Sequence, residues 1–160
     1  MGVAIRVVGG TATGPTAVAS YDAALADAGV HNYNLLTLSS VVPSDAEVEV
    51  LESAPDLGPV GGRLAVVQAR ATVEGTGRAT AALGWTREDE HGPGVFYETG
   101  GEFDRREARR RIGRGLEHAR GIRAWNLEGS SVAVESTVTD GASFATAVVV
   151  AAYGGADPFG

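Results

Sequence analysis

The segment His31-Asn-Tyr-Asn-Leu-Leu-Thr-Leu-Ser-Ser-Val-Val-Pro43 follows a helix-like stretch of the chain. Residues 33–42 are mostly apolar or β-branched and predict one strand, which ends at Pro43 because proline has no backbone N–H to give to a sheet. Ser39 and Ser40 lie side by side near the end of this strand. A serine pair in a strand is ordinary, so the pair indicates chemistry only if other parts of the chain support it.

The rest of the chain alternates between strand-like and helix-like patterns. Residues 3–8 predict a strand that ends at Gly9-Gly10, and residues 15–29 predict a helix with proline at its first position and glycine after its last turn. A second helix is predicted from a cap at Asp104 to about residue 120, with Gly121 after it. Further strands are predicted at residues 63–73, 79–86, 94–100, 122–138 and 142–152. The last two would form a hairpin, and the order of elements predicts one mixed α/β (α+β) domain over residues 1–160.

The composition excludes several kinds of active site. The chain has no cysteine, and its three scattered histidines form no His-x-x-x-His pair, so neither thiolate chemistry nor a metal site is expected. All thirteen basic residues are arginine. Without lysine, the chain offers neither the Schiff-base lysine of a pyridoxal-phosphate enzyme nor the lysine of a phosphate-binding loop. Any imine chemistry must therefore use a carbonyl group from another source.

Charge and hydropathy exclude two further classes of partner. A net charge of −7 disfavours nucleic acid, and the arginines of residues 104–120 alternate with acidic residues as on a solvated helix face. No apolar run reaches the ~18 residues that a membrane span needs, and the N-terminal apolar run is too short for a secretory signal. We therefore expect a cytoplasmic protein that binds neither nucleic acid nor membrane.

Three segments together resemble the pyruvoyl-dependent arginine decarboxylases. Ser20-Tyr-Asp-Ala-Ala-Leu-Ala-Asp-Ala-Gly29 is similar to the first helix of that family, and Gly94-Val-Phe-Tyr-Glu98 is similar to the strand that delivers its acid. Asn32-Tyr-Asn-Leu35, followed by the serine pair and Pro43, is similar to its self-cleavage site. The resemblance implies a layered α/β/β/α sandwich like that of the pyruvoyl-dependent histidine decarboxylases. It also implies a homotrimer of cleaved protomers or a dimer of such trimers.

The resemblance further implies that the chain cleaves itself between Ser39 and Ser40. The products would be residues 1–39, the β chain, and residues 40–160, the α chain. Ser40 would become a pyruvoyl group, whose carbonyl forms a Schiff base with L-arginine and accepts the electron pair left by carbon dioxide, so that agmatine is formed. This covalent cofactor needs no lysine, no pyridoxal phosphate and no metal.

The same resemblance implies roles for three other residues. Glu98 would protonate the carbanion, Asn34 would assist processing or orient the pyruvoyl surroundings, and Asp22 would bind the guanidinium group of the substrate. Apolar neighbours of Glu98 could raise its pKa enough for this task. Asn34 and Ser40 share one strand face but lie six residues apart, so Asn34 would reach the site across a subunit boundary or a bend. Structural alternatives are a solvated Glu98, a solvated Asp22, and an Asn34 that satisfies a turn.

Two other interpretations of the whole chain remain open at this point. In one, the pyruvoyl chemistry is the same but the substrate is another amino acid, for example aspartate. In the other, the protein is an oligomeric scaffold that is never cleaved and catalyses nothing.

Overall fold

The computed structural model describes residues 2–160, which fold into two β-sheets and two α-helices. In chain order the elements are β1 (Ala4–Gly14), α1 (Ala17–Ala28), β2 (Asn34–Thr37), β3 (Val41–Val42), β4 (Glu47–Val50), β5 (Arg63–Glu74), β6 (Arg78–Arg87), β7 (Gly94–Gly101), α2 (Arg105–Ile122), β8 (Glu128–Val138) and β9 (Phe144–Tyr153). The first sheet has the strand order β2-β5-β9-β1-β4, and the second has the order β3-β7-β6-β8. The predicted mixed class of helices and strands is confirmed.

The two sheets pack face to face, and each carries one helix on its outer side. Successive residues of β1 show this arrangement: Val7 is buried between the sheets, whereas Val8 is buried beneath α1. β9 repeats the alternation with Val149 and Val150. Because side chains of a strand alternate between its two faces, both faces of these central strands are apolar. A third core, which includes Ile112, joins α2 to the second sheet, so the layers run α/β/β/α.

The sequence predicted that the first strand would end at Gly9-Gly10, but β1 runs through both glycines to Gly14. A Cβ atom at Gly10 would lie 2.3 Å from the backbone oxygen of Ala24 in α1, and one at Gly9 would lie 2.5 Å from Cγ of Glu135. These glycines therefore let α1 and β8 approach the strand backbone closely. Their role is to allow close packing within a strand, whereas the prediction had treated them as the end of the strand.

The helix ends are partly as predicted. Gly29 follows α1 in the left-handed conformation, with φ of 86°, and the Asp104 side chain caps α2. Pro15, however, lies before the cap of α1, because the hydroxyl of Thr16 accepts the backbone N–H of the first turn. α2 continues through Gly121 to Ile122, so this glycine does not end the helix as predicted. A Cβ atom at Gly121 would meet no other atom within 4 Å.

Residues 33–42 do not form one strand. β2 pairs with β5 at the edge of the first sheet, and β3 pairs with β7 at the edge of the second. Packed sheets lie about 10 Å apart, so one straight strand cannot pair in both. Residues 38–40 therefore carry the chain from one sheet to the other. The serine pair lies in this crossing.

The last two strands also enter different sheets and form no hairpin. β8 pairs with β6, whereas β9 lies between β5 and β1. The Asp140 side chain accepts hydrogen bonds from the backbone of Ala142 and the hydroxyl of Ser143, which turns the chain between the sheets. β4, a short strand that was not predicted, pairs in parallel with β1.

Candidate active site

The peptide bond between Ser39 and Ser40 lies between two hydrogen-bonded anchors. On one side, the backbone N–H of Leu38 donates to the carbonyl oxygen of Val66 in the first sheet, at 2.7 Å. On the other side, the backbone N–H of Phe96 donates to the carbonyl oxygen of Ser40 from the second sheet, at 2.8 Å. Ser39 is exposed and Ser40 is half-buried. The crossing is thus held at both ends while its centre stays accessible.

Ser40 and Glu98 line the same open cavity, which has a volume of about 300 Å³. The other lining residues are Phe96 and Tyr97, which precede Glu98 in β7. β7 brings them to Ser40 because it pairs with β3, with Val95 opposite the residue that follows Ser40. The register of two short strand segments therefore joins two predicted site residues that are 58 positions apart in the chain.

The surroundings of Glu98 favour its protonated form. Its side chain reaches solvent in the single chain, but the surrounding protein removes part of its water. This desolvation raises the pKa of Glu98, and a hydrogen bond from its own backbone N–H opposes the rise with a smaller effect. The direction agrees with the one expected from its apolar neighbours. A carboxyl group with a raised pKa is suited to donating a proton.

Tyr153, the last residue of β9 in the first sheet, contacts the residue that follows Ser40. It was not identified as a site residue from the sequence. Its hydroxyl donates to the carbonyl oxygen of Val41 at 2.8 Å, and its ring centroid lies 6.1 Å from that of Phe96. Burial raises the pKa of Tyr153, so the hydroxyl keeps its proton at neutral pH. Tyr153 and Val41 are 112 residues apart, and no local pattern marks such a contact.

Asn34 and Asp22 lie outside the cavity that Ser40 and Glu98 share. Asn34 is the first residue of β2, and its side-chain amide donates to the carbonyl oxygen of Gly61 at 2.8 Å. In the single chain Asn34 therefore has a structural role, but its partner lies in the loop before β5, whereas the structural alternative placed it in the turn after Gly29. Asp22 is exposed on α1, beside Tyr21, whose hydroxyl donates to Gln68. The structure thus joins one pair of the predicted residues and leaves the other two apart.

No metal site or membrane-spanning helix was found in the part of the chain that the structure describes. Within residues 2–160, no group of three or more histidine, cysteine, aspartate or glutamate side chains is placed to hold a metal ion. In the same range, no helix combines the length and the apolar character needed to cross a bilayer.

Comparison with known proteins assigns the family. A sequence model of the pyruvoyl-dependent arginine decarboxylases (PvlArgDC) matches residues 4–158. The chain belongs to this family. The pyruvoyl-dependent arginine decarboxylase of Halobacterium salinarum is 46% identical over 154 residues, which cover 96% of each chain. Those of Thermococcus sibiricus and Pyrococcus abyssi are 35% and 34% identical, and the matches cover 88% and 87% of this chain and 89% and 88% of theirs.

Membership of the pyruvoyl-dependent arginine decarboxylases confirms the enzyme class that the sequence predicted. It also confirms a covalent pyruvoyl group as the cofactor of the class and arginine as its substrate. A carbonyl group made from the chain itself agrees with the complete absence of lysine. The alternative of a non-catalytic scaffold is disfavoured.

Titration of single carboxyl groups tests the electrostatics of the site. Because desolvation raises the pKa of Glu98, we expect its carboxyl carbon to titrate above 4.5 in a ¹³C NMR experiment on the folded protein. The protonated form is favoured by folding, so the contribution of Glu98 to stability is full below 4.5 and is lost as the pH rises through the raised pKa.

Glu107 is the internal control for this titration. Its hydrogen bond from Arg111 lowers the pKa of Glu107, so its carboxyl carbon is expected to titrate below 4.5 in the same spectra. A midpoint for Glu98 at or below that of Glu107 would contradict the proposed environment.

Proposed function

We propose that this chain is a cytoplasmic enzyme that decarboxylates L-arginine to agmatine and carbon dioxide at a pyruvoyl group made from its own Ser40. The observation that carries the proposal is the cavity that Ser40 shares with Glu98, at the point where the chain crosses between the sheets. A nucleophile and a carboxyl group with a raised pKa are the two components that the chemistry needs.

Self-cleavage begins when Oγ of Ser40 attacks the carbonyl carbon of Ser39. The bond from that carbon to the nitrogen of Ser40 breaks, and an ester replaces the amide. Removal of the Cα proton of residue 40 then expels the carboxylate of Ser39 and leaves an enamine. The enamine tautomerises to an imine, and water replaces the nitrogen, which leaves as ammonia. The products are chains of 39 and 121 residues, the larger with a pyruvoyl group at its start.

The fold supports a cleavage that does not release the smaller chain. Residues 1–39 include β1, which pairs with β9 at ten positions and with β4 at four. They also include α1, which packs on the first sheet, and β2, which pairs with β5. These contacts join the two products through the core of the first sheet. The products are therefore expected to stay together as one folded protomer.

The residues around Ser40 fit the pyruvoyl group. Its carbonyl supplies an electron sink for the pair left when carbon dioxide departs. The backbone N–H of Phe96 holds the carbonyl oxygen of residue 40 and so orients the group in the cavity. Glu98 lines the same cavity, where desolvation raises the pKa of its carboxyl group and so favours the protonated form that would pass its proton to carbon. The ring of Phe96, which is buried between the sheets, limits the access of water from that side.

Asp22 is the proposed partner of the substrate guanidinium, supplied by a second copy of the chain. A carboxylate accepts two parallel hydrogen bonds from the planar guanidinium fork, which distinguishes arginine from lysine. Asp22 lies outside the cavity of its own chain, so a site that contains both Asp22 and Ser40 needs a neighbouring protomer. Leu36, Leu38 and Val41 are exposed around the crossing and provide an apolar surface for such a neighbour.

We further propose a homotrimer of cleaved protomers, or a dimer of trimers, with the sandwich of the pyruvoyl-dependent histidine decarboxylases. In that assembly, Asn34 would assist processing from its place at the start of β2. Its hydrogen bond to Gly61 supports a role through the loop before β5.

Replacement of Glu98 separates the two reactions of the site. In Glu98→Gln, we expect cleavage at Ser40 to proceed, because the hydroxyl and the anchored crossing are unchanged. Decarboxylation of arginine should fall by ~10²–10⁴, the usual effect of losing an acid–base group. Intact mass spectrometry measures the cleavage, and release of carbon dioxide measures the turnover. Ser40→Ala is the matched control, which should be neither cleaved nor active. Undiminished turnover in Glu98→Gln would remove Glu98 from the mechanism.

Replacement of Asp22 tests the substrate. In Asp22→Asn, the loss of charge should lower arginine turnover while cleavage remains complete, because Asp22 lies outside the cavity of Ser40. Asp27→Asn is the matched control on the same helix: Asp27 accepts the backbone N–H of Thr11, which an asparagine oxygen also accepts. Turnover is measured with arginine, lysine and aspartate. An unchanged arginine rate in Asp22→Asn would rule out its role, and turnover of aspartate in preference to arginine would support the alternative substrate.

A further inference from the structure

We infer that Tyr153 is a positioning residue for self-cleavage, because its hydroxyl fixes the peptide that follows Ser40. This inference rests on the proposed cleavage between Ser39 and Ser40. It concerns a side chain that does not touch the reacting atoms and acts through the backbone of Val41.

The strand that follows Ser40 is weakly held by its own sheet. β3 contains only Val41 and Val42, and it pairs at these two positions with β7 at the edge of the second sheet. A strand of two residues gains little from its ladder, since ordinary strands pair over five or six residues. Tyr153, in contrast, ends β9, the central strand of the first sheet, where it pairs with Ile5 of β1. The hydrogen bond from Tyr153 to Val41 therefore ties a short edge strand to the best-supported part of the fold.

Three hydrogen bonds bracket the bond that is cleaved. Leu38 is bound to the first sheet through Val66, the carbonyl of Ser40 is bound to the second sheet through Phe96, and the carbonyl of Val41 is bound by Tyr153. The attack requires Oγ of Ser40 to lie about 3–3.5 Å from the carbonyl carbon of Ser39 in a suitable direction. That geometry depends on the backbone rotations of residues 39 and 40. Fixing the peptides on both sides restricts those rotations and favours the reactive conformation.

The hydroxyl and the ring of Tyr153 have separable roles. The ring packs against Phe96, which in turn packs against Trp85 with ring centroids 5.7 Å apart. The hydroxyl donates to the carbonyl oxygen of Val41, and burial raises the pKa of Tyr153 and so favours the protonated donor. Tyr153→Phe therefore removes the donor and preserves the packing of the aromatic rings.

Cleavage kinetics of the full chain test the inference. The 160-residue protein is made in a short cell-free synthesis, and the conversion to chains of 39 and 121 residues is followed by intact mass spectrometry. We expect Tyr153→Phe to slow the conversion by on the order of tenfold, the effect of losing one positioning hydrogen bond. Tyr21→Phe is the matched control, because the Tyr21 hydroxyl is also a hydrogen-bond donor, to the side-chain oxygen of Gln68 at 2.8 Å, and Tyr21 lies outside the segment that resembles the cleavage site. It should cleave at the rate of the unmodified chain.

Two synthetic residues at position 153 distinguish hydrogen bonding from general destabilisation. With 4-aminophenylalanine, an N–H donor remains in place of the hydroxyl, and most of the rate should return. With 4-methylphenylalanine, the space is filled without a donor, and cleavage should stay slow even if Tyr153→Phe itself folds poorly. Equal rates for Tyr153→Phe and the unmodified chain, equal slowing in Tyr21→Phe, or no recovery with the amino residue would each overturn the role of Tyr153. An unmodified chain that stays intact would instead overturn the proposed function, and this inference with it.

Discussion

The crossing of the chain from one sheet to the other at Ser39 and Ser40 is the constraint on which the site depends. Each side of the crossing is hydrogen-bonded to a different sheet, through Val66 and through Phe96. The peptide bond between them is therefore fixed at its ends without being part of a long ladder. Cleavage of this peptide bond would leave the core in place, because β1 and β9 would remain paired along their lengths. The peptide bond that we propose is cleaved is thus located where the fold can lose it.

The proposed chemistry is divided between a cavity within one chain and a surface of another. The cavity brings the Ser40 carbonyl and the Glu98 carboxyl together, and desolvation raises the pKa of that carboxyl. Asp22 lies on an exposed helix face, where it is available to a neighbour. This division gives a reason for assembly that is chemical as well as structural: the reacting group and the group that recognises the substrate guanidinium would meet only between protomers. The absence of lysine leaves a self-made carbonyl as the available electrophile.

Local sequence patterns predicted the individual helices and strands better than they predicted which strands pair with one another. The apolar spacing of α2 and the long strands β5, β6 and β7 followed from periodicity, because each element largely encodes its own repeat. The sheet to which each strand belongs did not follow from periodicity. The split of residues 33–42 and the separation of β8 from β9 depend on contacts between distant segments. Gly9-Gly10 was misinterpreted because the close approach of Ala24 is invisible in sequence. The pair of Ser40 and Glu98 came from family resemblance, whereas Tyr153 needed the folded chain.

The most direct test of the account is the intact mass of the purified, unmodified protein under denaturing conditions, together with labelling of its free amino termini. The account predicts two chains, residues 1–39 and residues 40–160, with no free amine on the larger chain because its first residue carries a ketone. The mass of the larger chain should fit a pyruvoyl group in place of Ser40. A single chain of 160 residues with serine at position 40 would contradict the central claim.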